Sequence, residues 1–215
     1  MLTTVFKTVM PVSKPGFRDS ASTILPIAFD GRVVQLEARA YEDLAASDQA
    51  VALIHRTAGA GVNQVPIVRV HSGCLTGDIF HSLRCDCYQQ LQKALATITA
   101  SDYGIIVYLP HHEGRGIGLV NKIKAYAEQD RGLDTVDANI SIGEPVDSRS
   151  YEMAANILLD LNCHQIRLMT NNPLKVEALR SAGIDVVEQM PLVISPSEHN
   201  ARYLKTKKER LSHKL

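Results

Sequence analysis

Gly104-Ile105-Ile106-Val107-Tyr108-Leu109 is an uncharged run of strand formers that stops at Pro110 and leads into Glu113-Gly114-Arg115-Gly116-Ile117-Gly118. A short apolar run bounded by turn residues reads as a buried strand, and the glycines after it as a strand-to-helix turn. The sequence on either side has a different period. Leu91, Ala94, Leu95 and Ile98 fall at i, i+3, i+4, i+7, and Leu119, Ile123 and Tyr126 continue a helical face that stops near Gly132. Ala154, Ile157, Leu158 and Leu161 mark a further helix, followed by a strand at 165–169, a helix after Pro173 and a strand at 184–187. Helix and strand therefore alternate through the C-terminal two-thirds, the pattern of an α/β layer. Upstream, residues 24–29, 32–40, 50–55 and 66–70 are β-branched or aliphatic runs, separated by Asp30-Gly31 and by Ala58-Gly59-Ala60-Gly61. Asp30-Gly31 suits a hairpin turn because both positions tolerate positive φ. The expected fold is mixed α/β, with N-terminal antiparallel strands leading into an alternating strand/helix layer. Residues 1–22 are expected to be a loosely ordered lead, and 23–215 a single domain.

Composition limits the function classes. Among 215 residues, 23 Lys+Arg face 23 Asp+Glu, so the chain lacks the basic excess of a nucleic-acid or anionic-membrane binder. Hydrophobic residues at 45% and charged residues at 21% describe a folded globular chain whose core is mostly aliphatic, since Trp is missing and Phe occurs four times. No apolar stretch approaches the roughly 20 residues that span a bilayer. The first residues have neither a basic nor a sustained apolar signal region, so the expected location is cytoplasmic, without nucleic-acid or membrane partners. In that reducing setting the four cysteines point to metal binding or catalysis rather than disulfides.

Three of them lie close together as Cys74, Cys85 and Cys87, a C-x10-C-x-C spacing. Such a set supplies three corners of a zinc tetrahedron and leaves the fourth for water. A closed structural site with His71, His81, His111 or His112 as fourth ligand is the competing arrangement, and three unrelated buried thiols a third. Cys163 reads as a small core residue. Glu113 to Gly118 places backbone N–H groups at a helix start, with Arg115 as a fork for phosphate and Glu113 as an acceptor for base or ribose. A tight turn with a surface Glu–Arg pair would look the same. Thr170-Asn171-Asn172-Pro173-Leu174-Lys175 forms a second polar mouth at a strand end, with Lys175 as a phosphate charge, although helix capping alone explains an Asn before Pro. Asp147-Ser148-Arg149 is either a surface pair or an arginine aimed at phosphate. The basic segment 203–215 reads as a solvated terminal helix. Together these features suggest hydrolysis of a nucleotide.

The same residues resemble the GTP cyclohydrolase II family. The resemblance is carried by Arg69-Val70-His71-Ser72, by Cys74-Leu75-Thr76-Gly77-Asp78, and by Ser82-Leu83-Arg84-Cys85-Asp86-Cys87. It continues through Glu113 to Leu119, Asn121-Lys122, Ala125-Tyr126-Ala127, Gln129-Asp130, Asp134-Thr135-Val136, Ala138-Asn139, and Thr170 to Pro173 with Lys175. Asn200, Tyr203-Leu204, Thr206-Lys207, His213 and Leu215 close it, so it covers about residues 23–215.

The resemblance implies one Zn²⁺ per chain on Cys74, Cys85 and Cys87, with its water attacking C8 of guanine and formate lost. It implies Arg149 as the group that takes the α-phosphoryl as pyrophosphate leaves, Asp147 as proton acceptor, and Tyr126 near the opening ring. Arg69, Val70, His71, Ser72, Gln90, Glu113, Gly114, Arg115, Thr135, Thr170 and Lys175 would hold GTP or a related purine nucleotide, with Mg²⁺ on the triphosphate. Family members are homodimers at the first step of riboflavin synthesis. The chain departs from the family pattern at Gly73 (usually Glu), at Tyr88 (usually Gly), at Pro110-His111-His112 (usually Arg-Gln, one residue shorter) and at Ser150 (usually acidic). All but the last surround the zinc and base side. A diverged paralogue with another product, and a non-catalytic zinc-stabilised nucleotide-binding module, are the alternative readings.

Overall fold

The computed structural model describes residues 16–61 and 64–211. The expectations for residues 1–15, His213 and Leu215 lie outside them. Among the described residues seven strands form one sheet: β1 (Phe17–Phe29), β2 (Arg32–Asp43), β3 (Gln49–Arg56), β4 (Ile67–Ser72), β5 (Tyr103–Leu109), β6 (Gln165–Met169) and β7 (Asp185–Met190), in the order β1-β2-β3-β5-β4-β6-β7. Pairings from β1 to β5 are antiparallel, and those among β5, β4, β6 and β7 are parallel. The antiparallel half and the alternating half thus meet at β5, the Gly104–Leu109 run, which is buried almost throughout.

The helices are α1 (Cys87–Thr99), α2 (Gly118–Asp130), α3 (Thr135–Ser141), α4 (Glu152–Asp160), α5 (Pro173–Ser181) and α6 (Ala201–Arg210). Two apolar clusters bury the two sheet faces. On one, Val68, Val70, Ile105 and Val107 pack with Ile157 and Leu158 of α4 and Leu179 of α5. On the other, Leu36 and Ile106 pack with Ala94, Leu95 and Ile98 of α1. Cys163 lies in the first cluster as expected. Covering both faces explains why β4 and β5 read as continuous apolar runs rather than alternating ones.

Two expectations are corrected here. β1 begins at Phe17, inside the segment read as a loose lead, and pairs with β2 from Phe17↔Asp43 to Phe29↔Arg32. Its residues are mostly exposed, so backbone pairing holds a strand that has no apolar alternation to betray it. α6 is not a freely solvated helix. Leu204, Thr206 and Lys207 are buried, Lys207 Nζ donates to Asp86 at 2.9 Å, and Arg210 reaches Asp134 and Asp137. The Asp30-Gly31 turn does form, with φ of 49° and 69°.

Beyond the carboxyl ends of β4, β5 and β6 the chain leaves as Ser72-Gly73-Cys74, Pro110-His111-His112 and Thr170-Asn171-Asn172. Crevices at the carboxyl ends of parallel strands are where α/β sheets bind ligands.

Candidate functional site

The three cysteines converge there. Leu75–Ile79 forms one π-helical turn that Cys74 caps, its Sγ accepting the Gly77 N–H at 3.3 Å, and Cys87 opens α1. The three sulfurs lie within 4.8 Å of one another. A Cβ on Gly77 would meet Cys85 Sγ and Cys87 Cβ at 2.9 Å and Cys74 Sγ at 3.0 Å, so only glycine lets the three side chains share that space. Buried Asp78 pins the turn. Its carboxylate accepts from Cys74 N–H at 3.0 Å and Tyr108 Oη at 3.1 Å and lies 3.1 Å from His71 Nε2.

The Cys85 and Cys87 thiols, with the Lys122 ammonium 3.0 Å away, hold Cys74 well below the ordinary thiol value; Cys74 in turn pushes Cys85 up to about 11. A cluster already favouring one thiolate beside a cation suits a metal that would take all three as thiolates. Among the described residues no histidine or carboxylate joins the group. The closed Cys3His arrangement is therefore not formed. His71 faces Asp78, His112 faces Ser72 and Ser150, His81 packs on Tyr88, and His111 packs edge-on against His112. Three thiol donors so placed could hold a metal ion and are compatible with zinc.

The cluster opens on a cavity lined by the three cysteines, Gly114, Arg115, Tyr126, Thr135, Arg149 and Tyr203. A second cavity shares Ser72, Cys87, Arg115, Arg149 and Tyr203 with it and adds Arg69, His71, Gln90, Thr170, Lys175 and Lys207. Each encloses about 620 Å³ of non-atom space, part of it open to solvent. Arg115 stands where they meet, and its Nη1 and Nη2 are buried without a hydrogen-bond partner among the described residues.

In the second cavity Lys175 Nζ donates to the Val70 carbonyl at 2.8 Å. Burial first, then Arg69, Arg149 and Lys207, pull its pKa well below the ordinary lysine value. Arg69 is lowered to about 10, chiefly by burial, and is held by the Met169 carbonyl and Gln90. Arg149 is a nearly buried guanidinium rather than a surface pair. Its Nε donates to Asp147 Oδ1 at 2.9 Å, its Nη2 to Oδ2, and its Nη1 to Ser72 Oγ at 3.2 Å. Burial opposes ionisation of Asp147, but the Arg149 hydrogen bonds and charge outweigh it and keep the carboxyl below its usual range.

Most of the residues singled out in the sequence come together in these two cavities, and three do not line them. Val70 is fully buried in the core and offers only its carbonyl, to Lys175. Glu113 turns away: its oxygens take Lys122 Nζ and the Leu75 and Gly114 N–H groups, clamping the cysteine turn to α2. Asp147 stands behind Arg149. The Asn171 amide is occupied by Leu192 and the Asn172 side chain caps α5, so these asparagines shape the mouth and leave its charge to Lys175.

Gly73 and the extra residue before Glu113 prove to be linked. A Cβ on Gly73 would lie 2.9 Å from Pro110 Cα and 3.0 Å from the Leu109 oxygen, so the chain passing through Pro110 takes the space of a side chain there. Sequence reasoning missed Lys122, Tyr203 and Lys207 as site residues. Lys122 is one helical turn after Gly118, and a basic residue there signals a charge turned back toward the cysteines. Tyr203 and Lys207 are four apart on α6 and share one face.

Comparison with known proteins agrees with this geometry. The model of the family described as GTP cyclohydrolase II matches residues 20–191. The chain is 54% identical over 147 residues to the GTP cyclohydrolase-2 of Archaeoglobus fulgidus, which covers 68% of this chain and 39% of that protein. It is 52% identical over 175 residues to the GTP cyclohydrolase-2 of Streptomyces coelicolor, covering 81% of this chain and 78% of that one. With the riboflavin biosynthesis protein RibBA of Aquifex aeolicus it shares 49% identity over 175 residues, 81% of this chain and 42% of that protein. The chain thus spans less than half of the Archaeoglobus and Aquifex proteins and over three-quarters of the Streptomyces one.

Proposed function

The chain belongs to the GTP cyclohydrolase II family, and from that premise we propose that it hydrolyses GTP, opening the guanine imidazole ring with release of formate and pyrophosphate. The product would be a diaminopyrimidinone ribosyl phosphate, at the first step of riboflavin synthesis. The observation that carries this reading is Arg115. A guanidinium stays charged at any working pH, and one whose two terminal nitrogens are buried without partners calls for an anion. Standing between the thiol cavity and the cation cavity, it would bind the phosphates of a nucleotide whose base lies on the thiol side.

On this reading Tyr126, Thr135 and Gly114 flank the base, and Arg69, Ser72, Gln90, Thr170 and Lys175 surround the triphosphate, which Mg²⁺ would accompany. Zinc on Cys74, Cys85 and Cys87 would supply a Lewis acid and a water acidic enough to act near neutral pH. Lys122 would balance the negative charge of the thiolates. Arg149 would take the α-phosphoryl group: a nitrogen–phosphorus bond forms, the bond to pyrophosphate breaks and a guanidinium proton leaves, and water would then cleave the nitrogen–phosphorus bond, releasing the monophosphate and restoring the guanidinium. Asp147, which accepts from Nε and Nη2, would receive that proton. The protein would act in the cytoplasm as a homodimer.

A second reading keeps the phosphate chemistry and changes the base. The closure of the space at Gly73 favours it, because that position usually carries a carboxylate in the family. Incubation with GTP and Mg²⁺, followed by mass spectrometry of the nucleotide product and assays of formate and pyrophosphate, tests both. Formate and pyrophosphate together support ring opening. Pyrophosphate without formate favours the second reading, and neither product removes both.

A further inference from the structure

We infer that His112 is a positioning residue, a one-way hydrogen-bond relay that holds Arg149 through Ser72. The inference rests on the proposed role of Arg149, and two of its residues, His112 and Ser150, are positions where the chain departs from the family pattern.

The ring is 2% exposed. Its Nε2 is 2.8 Å from the Ser150 carbonyl oxygen. A carbonyl can only accept, so Nε2 carries the hydrogen. In a neutral imidazole the other nitrogen is then a bare acceptor. Nδ1 lies 3.1 Å from Ser72 Oγ, so the serine hydroxyl has to donate to it. With that hydrogen committed, the lone pairs of Ser72 Oγ are left for Arg149 Nη1, which donates at 3.2 Å. Asp147 takes the opposite edge of the same guanidinium through Nε and Nη2. The relay therefore runs from Arg149 to Ser72 to His112 to the Ser150 carbonyl, and every donor direction in it is fixed.

The surroundings keep the ring neutral. Burial first, then His111, Arg149 and Lys175, push His112 down to about 3. Tyr151 packs against the ring edge-on at 5.3 Å, which leaves it little freedom to flip. The relay also joins three segments that are distant in the chain: the end of β4 at Ser72, the turn after β5, and the 147–150 segment. A hydrophobic ring of similar size would fill the space but leave Ser72 free to turn its hydrogen toward Arg149.

The test compares His112→Phe, His112→Gln, Ser72→Ala and the double variant His112→Phe/Ser72→Ala by steady-state pyrophosphate release from GTP. The expected loss in kcat for His112→Phe is about tenfold to a hundredfold, with KM for GTP moved less than about threefold. Gln offers both an acceptor and a donor and should recover most of the rate. Adding Ser72→Ala to His112→Phe should cost little more in kcat, because both break one relay, while any loss of Ser72's contact with the triphosphate is read separately in KM. Wild-type kcat in His112→Phe, or losses that multiply in the double variant, overturns the relay.

Nitrogen-15 NMR of histidine-labelled protein, with His112→Gln to assign the signal, gives a readout independent of turnover. A neutral Nε2–H tautomer supports the assignment, and an Nδ1–H tautomer or a charged ring at neutral pH overturns it. Wild-type protein that releases no pyrophosphate defeats the proposed function, and the tautomer then decides the His112 assignment by itself.

Discussion

The two cavities that meet at Arg115 are built by opposite rules. On the thiol side charges are matched locally: Lys122 lies against Cys74 and Glu113, and Asp78 is surrounded by His71, Tyr108 and the Cys74 N–H. On the other side Arg69, Arg115, Arg149, Lys175 and Lys207 line one space with no carboxylate among its lining residues. The consequence is visible in Lys175, which burial and its cationic neighbours drive toward the neutral form. A chain with zero net charge thus holds a concentrated positive site, two of whose cations are held by Asp86 and Asp147 just behind its lining. The thiol side is arranged to keep a cluster in place. On the cation side Asp147 and Asp86 hold Arg149 and Lys207 from behind the lining, while among the described residues Arg69, Arg115 and Lys175 pair with no carboxylate and await an anion.

The sharpest way to break this comparison is to disable each side separately. Cys85→Ser should lower bound zinc from one per chain toward none and reduce formate release by about a thousandfold or more, the scale of losing a metal-activated water. Elemental analysis and a formate assay check it, and zinc retained at one per chain would refute the three-cysteine site. Arg149→Ala should instead abolish pyrophosphate release while leaving zinc content unchanged. Unchanged pyrophosphate release would remove Arg149 from its proposed role. If each substitution silenced only its own product, the two cavities would be chemically as well as structurally separate.

A milder substitution asks whether α6 belongs to the cation side. Lys207→Met removes a buried charge bound to Asp86, which sits between two of the cysteines and also accepts from Gln90. The expected result is a rise in KM for GTP of about tenfold to a hundredfold, the usual cost of losing a charge-assisted contact. Zinc content measured alongside shows whether the unpaired Asp86 disturbs the thiol side too. A KM within about twofold of wild type would make the ion pair a purely structural anchor for α6.

The two sides also differed in how far the sequence exposed them. The cysteine cluster announces itself, because three cysteines at short spacing that form no disulfide read as a candidate metal site. The strand-to-helix turns at Glu113 and Thr170 were legible for a similar reason: glycine, proline and asparagine mark backbone conformations locally. What stayed hidden was decided by tertiary pairing. Lys207 looked like one of several solvated lysines until Asp86, 121 positions away, was found against it. Glu113 looked like a ligand for a base, and the structure gives its oxygens to Lys122 and Leu75. β1 escaped notice through Phe17 to Ser22 because its order comes from ladder pairing with β2, which leaves no signature in side-chain polarity.

The smallest expected effect is also the most direct measure of the charge imbalance. In the free protein Lys175 titrates well below an ordinary lysine, first because it is buried and then because Arg69, Arg149 and Lys207 repel its charge. A bound triphosphate adds negative charge beside it and favours the ammonium, so its pKa rises on binding. Between the free and bound values, binding must take up protons, and affinity must fall as pH rises, by at most about tenfold per pH unit for one group. Calorimetric titration with a non-hydrolysable GTP analogue, repeated over a range of pH in buffers of different ionisation enthalpy, should show an uptake of less than about one proton per chain in the window between the free and bound values. In Lys175→Arg the guanidinium stays charged in both states, so the uptake attributable to this residue should vanish. Proton release, or an uptake unchanged in Lys175→Arg, would mean that the cation side is already balanced by groups outside its lining, and the contrast with the thiol side would lose its electrostatic basis.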